Sequence, residues 1–257
     1  MKGILICGGT GSRLRPLTEI TNKSLLPVYN KPLVCYPLET LTKAGINDIA
    51  VITGPEHMDQ MNQFLGDGSR FGCTFTYKIQ EKPGGIAQAL SLAEEFANGS
   101  NVCAILGDNV FFDDLSPMIT SFKTGAHLFL KEVPDPERFG VAEISKPETR
   151  NQPFEALTGP QAPSGKPETT VLSLEEKPAK PKSNLAVTGC YLYDRRCFDL
   201  IKKMKPSARG ELEITDLSES YRKLRELTAT ILKDEWVDAG TFESLFKAAM
   251  LVRGQNR

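Results

Sequence analysis

The chain is poor in histidine. His57 and His127 are its only two, so zinc centres and histidine-based catalytic triads have little to build on. No CxxC pair occurs among the six cysteines, Cys7, Cys35, Cys73, Cys103, Cys190 and Cys197. Cys7, Cys103 and Cys190 sit in strand-like apolar runs, where a free thiol packs as a small hydrophobe. That usage points to a reduced, cytoplasmic protein. No apolar run approaches the ~20 residues of a membrane-spanning helix, and the N-terminus has no signal-peptide apolar segment. An excess of either charge is missing too: 31 Lys+Arg face 32 Asp+Glu, a formal charge of -1. The balance gives no general reason to expect nucleic acid or an anionic membrane as a partner. Internal repeats, heptads and a clear domain linker are also absent, and residues 1–257 are expected to form one domain.

What stands out is residues 8–31, GGTGSRLRPLTEITNKSLLPVYNK. A short apolar run, residues 3–7, precedes it and reads as a buried strand. Gly8, Gly9 and Gly11 follow, then Arg13 and, ten positions on, Lys23. A strand ending in a glycine-rich turn lets backbone N–H groups approach a phosphate. Arg13 can hold phosphate oxygens in a bidentate fork, with Lys23 as a point charge. Either cation alone would be an ordinary solvated side chain; beside three glycines the two together suggest a polyanionic ligand. Two familiar phosphate motifs are excluded. No Gly-Lys-Ser/Thr follows the turn, so it is not a Walker A loop, and G-T-G-S-R-L from Gly9 lacks the third glycine of the dinucleotide fingerprint.

Strand and helix signals alternate through the first half. Strands are expected at 49–52, 75–80 and 102–106, and helices at 32–43, 57–65 and 86–96. This rhythm implies βαβ units and a mostly parallel sheet covered by helices, with ligands beyond the carboxyl ends of strands. The Gly8 turn and Gly107-Asp108-Asn109 then share one edge. The second half is more mixed, with strands expected at 127–133, 140–144, 170–174 and 187–193 and helices at 214–224 and 242–252. Residues 145–169 carry five prolines and few large apolar side chains, which reads as an exposed insertion.

The pattern closely resembles the signature of sugar-1-phosphate nucleotidylyltransferases. Gly8 to Thr18 followed by Lys23 and Leu25-Leu26-Pro27 carries the likeness. Residues 106–109 (LGDN), 135–141 (DPERFGV), 175–178 (EEKP), 206–216 (PSARGELEITD) and 236–241 (WVDAGT) extend it toward the glucose-1-phosphate thymidylyltransferase branch. The resemblance implies an α/β, Rossmann-like nucleotidyltransferase fold with a mixed, mostly parallel sheet. It also implies the reaction of dTTP with glucose 1-phosphate, giving dTDP-glucose and pyrophosphate. The same chemistry with UTP or another hexose 1-phosphate, or a nucleotide-sensing subunit without activity, stays open.

The resemblance assigns roles position by position. Arg13 and Lys23 are catalytic. Gly8, Gly9, Thr10, Gly11, Ser12, Arg13, Gln80, Gly85 and Asp108 bind the nucleotide, with Gln80 and Gly85 reading the base edge; a glutamine amide offers donor and acceptor together. Gly140, Glu176, Lys177, Val187, Thr188 and Gly189 bind the sugar phosphate. Asp108 and Asp238 hold Mg²⁺, an ion that takes one or two carboxylates plus phosphate oxygens. Family members assemble as homo-oligomers, tetramers or dimers. The chain departs from the pattern in three ways. Phe139 stands where many members have tyrosine, Ser24 stands where they often have a larger polar residue, and the proline-rich stretch before Glu175 is longer. It also stops soon after residues 242–252, resembling the members without further C-terminal helices, and feedback control by a pathway end product stays open.

Overall fold

A computed structural model describes residues 1–145 and 169–255; the proline-rich insertion lies almost wholly outside them. The strands are β1 Lys2–Ile6, β2 Pro27–Val28, β3 Lys31–Pro32, β4 Asp48–Thr53, β5 Thr74–Ile79, β6 Val102–Leu106, β7 Asn109–Phe111, β8 Ala126–Glu132, β9 Gly140–Ile144, β10 Thr169–Glu176, β11 Leu185–Tyr193, β12 Leu227–Ile231 and β13 Trp236–Asp238. The helices are α1 Cys35–Lys43, α2 Met58–Leu65, α3 Ile86–Ser91, α4 Glu94–Ala97, α5 Ser116–Ser121, α6 Cys197–Ile201, α7 Ile214–Lys223 and α8 Phe242–Gln255.

Nine strands form the central sheet in the order β5-β4-β1-β6-β11-β8-β12-β10-β9. Alternation along β1 explains how the sheet is buried. Ile4 and Ile6 face one apolar layer, Leu5 and Cys7 the other, and all four are buried. The first layer is closed by Ala87, Leu90, Cys197, Leu217 and Tyr221 from α3, α6 and α7. The second is closed by Leu38, Leu41, Met61, Leu65 and Ile119 from α1, α2 and α5. A third cluster joins α8 to β2, β7 and β13 through Val28, Val110, Val237, Ala248 and Val252. Each such aliphatic side chain withdrawn from water contributes roughly 1.5–3 kcal/mol before chain entropy is set against it.

The sheet is mixed, as expected, but it is not mostly parallel throughout. β5, β4, β1 and β6 run parallel. Beyond β6 only β8 with β12 is parallel; β6–β11, β11–β8, β12–β10 and β10–β9 are antiparallel. β11 is the main source of the change, since it runs antiparallel to each of the three strands it meets, β6, β8 and β9, and β9 and β10, consecutive in the chain, also pair antiparallel. The helix expected over 86–96 is two pieces, α3 and α4. Ser91 donates its hydroxyl to the Gln88 carbonyl at 2.7 Å, a local bond that competes with the helical ladder. The helix expected from residue 32 begins at Cys35, because Lys31 and Pro32 pair with Val28 and Pro27.

Candidate active site

The glycine turn leaves the carboxyl end of β1. Gly9 and Gly11 have φ of +89° and +60°, a region open mainly to glycine. A Cβ on Gly11 would lie 2.7 Å from Thr18, whose hydroxyl donates to the Gly11 carbonyl at 2.8 Å. The loop is thus pinned to the segment that follows it. Arg13 sits on a single helical turn, Ser12–Leu14, anchored by the fully buried Leu14. Lys23 opens a second such turn, capped by Asn22. The Asn22 amide accepts from Ser24 N–H at 2.8 Å and donates to the Cys7 carbonyl at 2.9 Å, tying the turn to the end of β1.

Lys23 Nζ reaches Asp108 Oδ2 at 2.5 Å. Asp108 follows β6, and Asn109 begins β7, where it pairs with Asp238 on β13. Ala239 N–H also donates to the Asp108 carbonyl at 2.9 Å. The two aspartates are thereby brought together from positions 130 apart in the chain. Burial acts against both charges. The Asp238 carboxyl is pushed well above its ordinary range by burial and then by the charge of Asp108; Lys23, Arg13 and Arg138 oppose this. Asp108 is buried as deeply, but the Lys23 charge and hydrogen bond and the Asn109 amide hold it below the usual carboxylate range. Lys23 stays protonated despite its burial because of Asp108 and Asp238. Gly240 leaves room for Arg13: a Cβ there would lie 2.9 Å from its guanidinium and 3.0 Å from Asp238 Oδ1.

Two adjoining cavities meet at these groups. The first, about 330 Å³, is lined by Gly8 to Arg13, Gln80 and Gly85. Gln80 donates to the Gln88 side chain at 2.6 Å and to the Gly85 carbonyl at 3.3 Å, and a Cβ on Gly8 would fall 2.6 Å from its carbonyl oxygen. Gly85 has φ +95°, with Leu212 against the space a side chain would need. The second cavity, about 680 Å³, is lined by Gly140, Glu176, Val187, Gly189, Asn109 and Asp238, among others. Arg13, Lys23, Asp108 and Lys177 belong to both walls.

Most residues singled out from the sequence therefore converge on this double cavity. Thr188 does not. It is fully buried, and its hydroxyl donates to the Phe129 carbonyl at 2.8 Å within a β-bulge of β11. Gly140 and Gly189 do line the second cavity, but protein neighbours require their lack of a side chain. A Cβ on Gly189 would fall 2.5 Å from Asn109, and one on Gly140 2.9 Å from Thr215.

Several contributors were not singled out beforehand. Asn109 Oδ1 accepts from Trp236 Nε1 at 2.7 Å and from Gly189 N–H at 3.0 Å, while its Nδ2 donates to Asp108 Oδ1 at 2.9 Å. Glu176 accepts from the Thr215 hydroxyl at 2.5 Å and from Arg209 at 3.3 Å. Arg209 also grips Glu213 at 2.7 Å. Lys177 has φ +45°, a left-handed conformation unusual for lysine, and its N–H donates to the Phe139 carbonyl at 3.0 Å.

A glycine loop, two cations and a carboxylate pair at a sheet's carboxyl edge define a protein that handles phosphoanhydrides. A family model described as nucleotidyl transferase matches residues 2–255, and the chain belongs to that family. Its relatives include proteins named glucose-1-phosphate thymidylyltransferase. That of Neisseria meningitidis is 45% identical, over 98% of this chain and 83% of its own length. That of Actinoplanes is 41% identical, over 98% and 78%. A crystal structure of a Bacillus anthracis protein assigned that activity, in complex with sucrose, superposes with a TM-score of 0.85 at 47% identity, over 98% of this chain and 95% of the other. A UDP-glucose pyrophosphorylase bound to UDP-glucose shares the fold, with a TM-score of 0.81 at 23% identity.

Proposed function

We propose that this chain transfers a thymidylyl group from dTTP to glucose 1-phosphate, releasing pyrophosphate. The observation that carries the reading is the junction of the two cavities at Arg13, Lys23 and Asp108. The nucleotide loop lies on one side of it and Glu176 and Gly140 on the other, with Lys177 lining both. The acceptor is already an anion, so the chain must juxtapose two polyanions and neutralise the leaving group rather than generate a nucleophile. No histidine lines either cavity among the described residues, and this chemistry needs none. Arg13 and the Gly8–Ser12 backbone hold the triphosphate. Lys23, locked on Asp108, presents its charge at the reacting phosphorus, and Lys177 receives the acceptor phosphate. Gln80, its amide held by Gln88, reads the base with Gly85. Glu176, set by Thr215 and Arg209, accepts from sugar hydroxyls beside Gly140, Val187 and Gly189.

The donor set fits Mg²⁺. Among the described residues no group of three or more histidine, cysteine or carboxylate ligands gathers anywhere. Asp108 and Asp238 alone suit an ion that completes its shell with phosphate oxygens and water, and they do not suit zinc. When bound, Mg²⁺ neutralises charge on the triphosphate. Asp108→Asn and Asp238→Asn should each fold, lose Mg²⁺-supported turnover and bind Mn²⁺ more weakly in a direct titration. Near-normal turnover in both would remove the metal assignment.

The function is tested by a grid of nucleoside triphosphates against sugar 1-phosphates, followed by pyrophosphate release. dTTP with glucose 1-phosphate should give the highest kcat/KM; higher values with UTP or another hexose 1-phosphate would replace the substrates and keep the chemistry. We place the enzyme in the cytoplasm as one catalytic unit over residues 1–257, acting as a homo-oligomer. No helix among the described residues is long and apolar enough to cross a membrane.

A further inference from the structure

Arg138 has entered the site so far only as a charge acting on Asp238. It ends a short helical turn, Pro136–Arg138, just before β9, and it lines the larger, acceptor-side cavity. Its side chain is held on two sides. Nη1 donates to Asp135 Oδ2 at 2.5 Å, and the guanidinium carbon lies 5.2 Å from the Phe139 ring centroid. Phe139 in turn meets Trp236 edge-on, at 5.3 Å between centroids. The group is thus a pre-set, half-buried cation whose stack and fork fix its plane. Its Nε and second terminal nitrogen donate to no protein acceptor among the described residues.

The other cations of that cavity are offset within it. Lys23 is paired with Asp108, and Lys177 lies 3.8 Å from Glu176; both carboxylates line the same wall. Asp135, the partner of Arg138, is not among the lining residues, so its carboxylate does not share the cavity. An acceptor phosphate entering beside a bound triphosphate needs a cation on its own side; Arg13, Lys23 and Lys177 line both cavities, whereas Arg138 lines the acceptor-side one alone. We propose that Arg138 is an acceptor-side phosphate ligand, its free guanidinium N–H groups binding the phosphate of the incoming sugar 1-phosphate. The proposal rests on the transferase reading given above.

Arg138→Met keeps the aliphatic stem against Phe139 and removes the charge. It should raise KM for glucose 1-phosphate roughly tenfold to a hundredfold, the loss expected for a charge-assisted hydrogen bond, and leave KM for dTTP within about twofold. The fall of kcat/KM for the sugar phosphate with ionic strength should also flatten, because one steering charge is gone. Arg138→Lys should retain that salt dependence but recover only part of the affinity. If Arg138→Met melts well below wild type, Arg138→Lys alone decides, with a raised glucose 1-phosphate KM as the supporting result. An unchanged KM for glucose 1-phosphate, or both KM values rising together with the salt dependence intact, would overturn the proposal and leave Arg138 as packing for Phe139 and Trp236. Absence of wild-type turnover with this substrate pair would count against the transferase reading instead.

Discussion

Asn109 is expected to govern both the stability of the site and the aim of its carboxylate. Its side chain is buried, and three of its bonding capacities are used, two as acceptor and one as donor. In Asn109→Ala the Trp236 indole N–H and the Gly189 amide lose their acceptor. A buried donor left unpaired costs about 1–3 kcal/mol, and the lost packing adds to it, for a total of ~3–5 kcal/mol. For a chain of this size that lowers Tm by on the order of 10 °C. Asn109→Asp separates the effects. It retains an acceptor for both N–H groups but sets a carboxylate oxygen where a donor faced Asp108. Its stability should fall less than that of the alanine variant at mildly acidic pH, where one carboxyl of the pair can take a proton, while turnover falls as far. Urea unfolding and pyrophosphate-release kinetics on both variants make the comparison. An alanine variant within about 1 kcal/mol of wild type would refute the reasoning, because the two donors would then have found other partners at little cost.

Arg13→Ala should lower kcat by about 10²–10³-fold with a smaller change in KM, since its charge is needed most when pyrophosphate leaves; an effect confined to KM would make it a ground-state binder. Gly85→Ala forces a side chain to φ +95° against the Leu212 carbonyl, 2.4 Å from the new Cβ. It should raise KM for dTTP more than KM for glucose 1-phosphate, and equal changes would detach Gly85 from nucleotide binding. Buried His127, bonded to Thr228 and Thr230, has its ionisation lowered by burial from 6.5 to about 4. The unfolded chain therefore takes up this proton first. The stability that His127 confers is complete above pH 6.5 and declines as pH falls toward 4, by ~2–3 kcal/mol at pH 4.5. His127→Gln should lose that portion of the acid dependence in urea unfolding at pH 7.5 and 4.5, and an identical drop in both proteins would refute it.

The parts of the site legible in the sequence are those whose demands are local. Gly9 and Gly11 need backbone angles that only glycine supplies cheaply, so their spacing announces a turn before any fold is known. β1, β4 and β6 are buried on both faces and read as continuous apolar runs. The rest depends on residues far apart in the chain. Nothing near Asn109 indicates that its amide will meet Trp236, 127 positions on, or Gly189, 80 positions on. β12 escaped notice because LTATI is short and alternates weakly, and its place beside β8 is fixed by a parallel pairing across the fold. Thr188 was assigned to the sugar side along with its neighbours. The bulge that turns it inward is a property of the β11–β8 pairing rather than of the local sequence.

The same bulge explains why the acceptor side lies where it does. β11 changes partners along its length: residues 190–193 lie against β6, while Ala186 pairs with Val141 of β9. β6 ends at Leu106, so beyond that point the parallel half of the sheet has nothing beside β11, and β9 takes up the place further along. The gap between the end of β6 and the start of β9 opens beside Asp108 and Asn109 and is walled by Gly140, Val187 and Gly189. A strictly parallel sheet would have carried a neighbouring strand and its helix through that space. The antiparallel second half therefore opens the room in which an acceptor can face the nucleotide loop, and the bulge gives Asn109 the backbone N–H that ties this opening to the carboxylate pair.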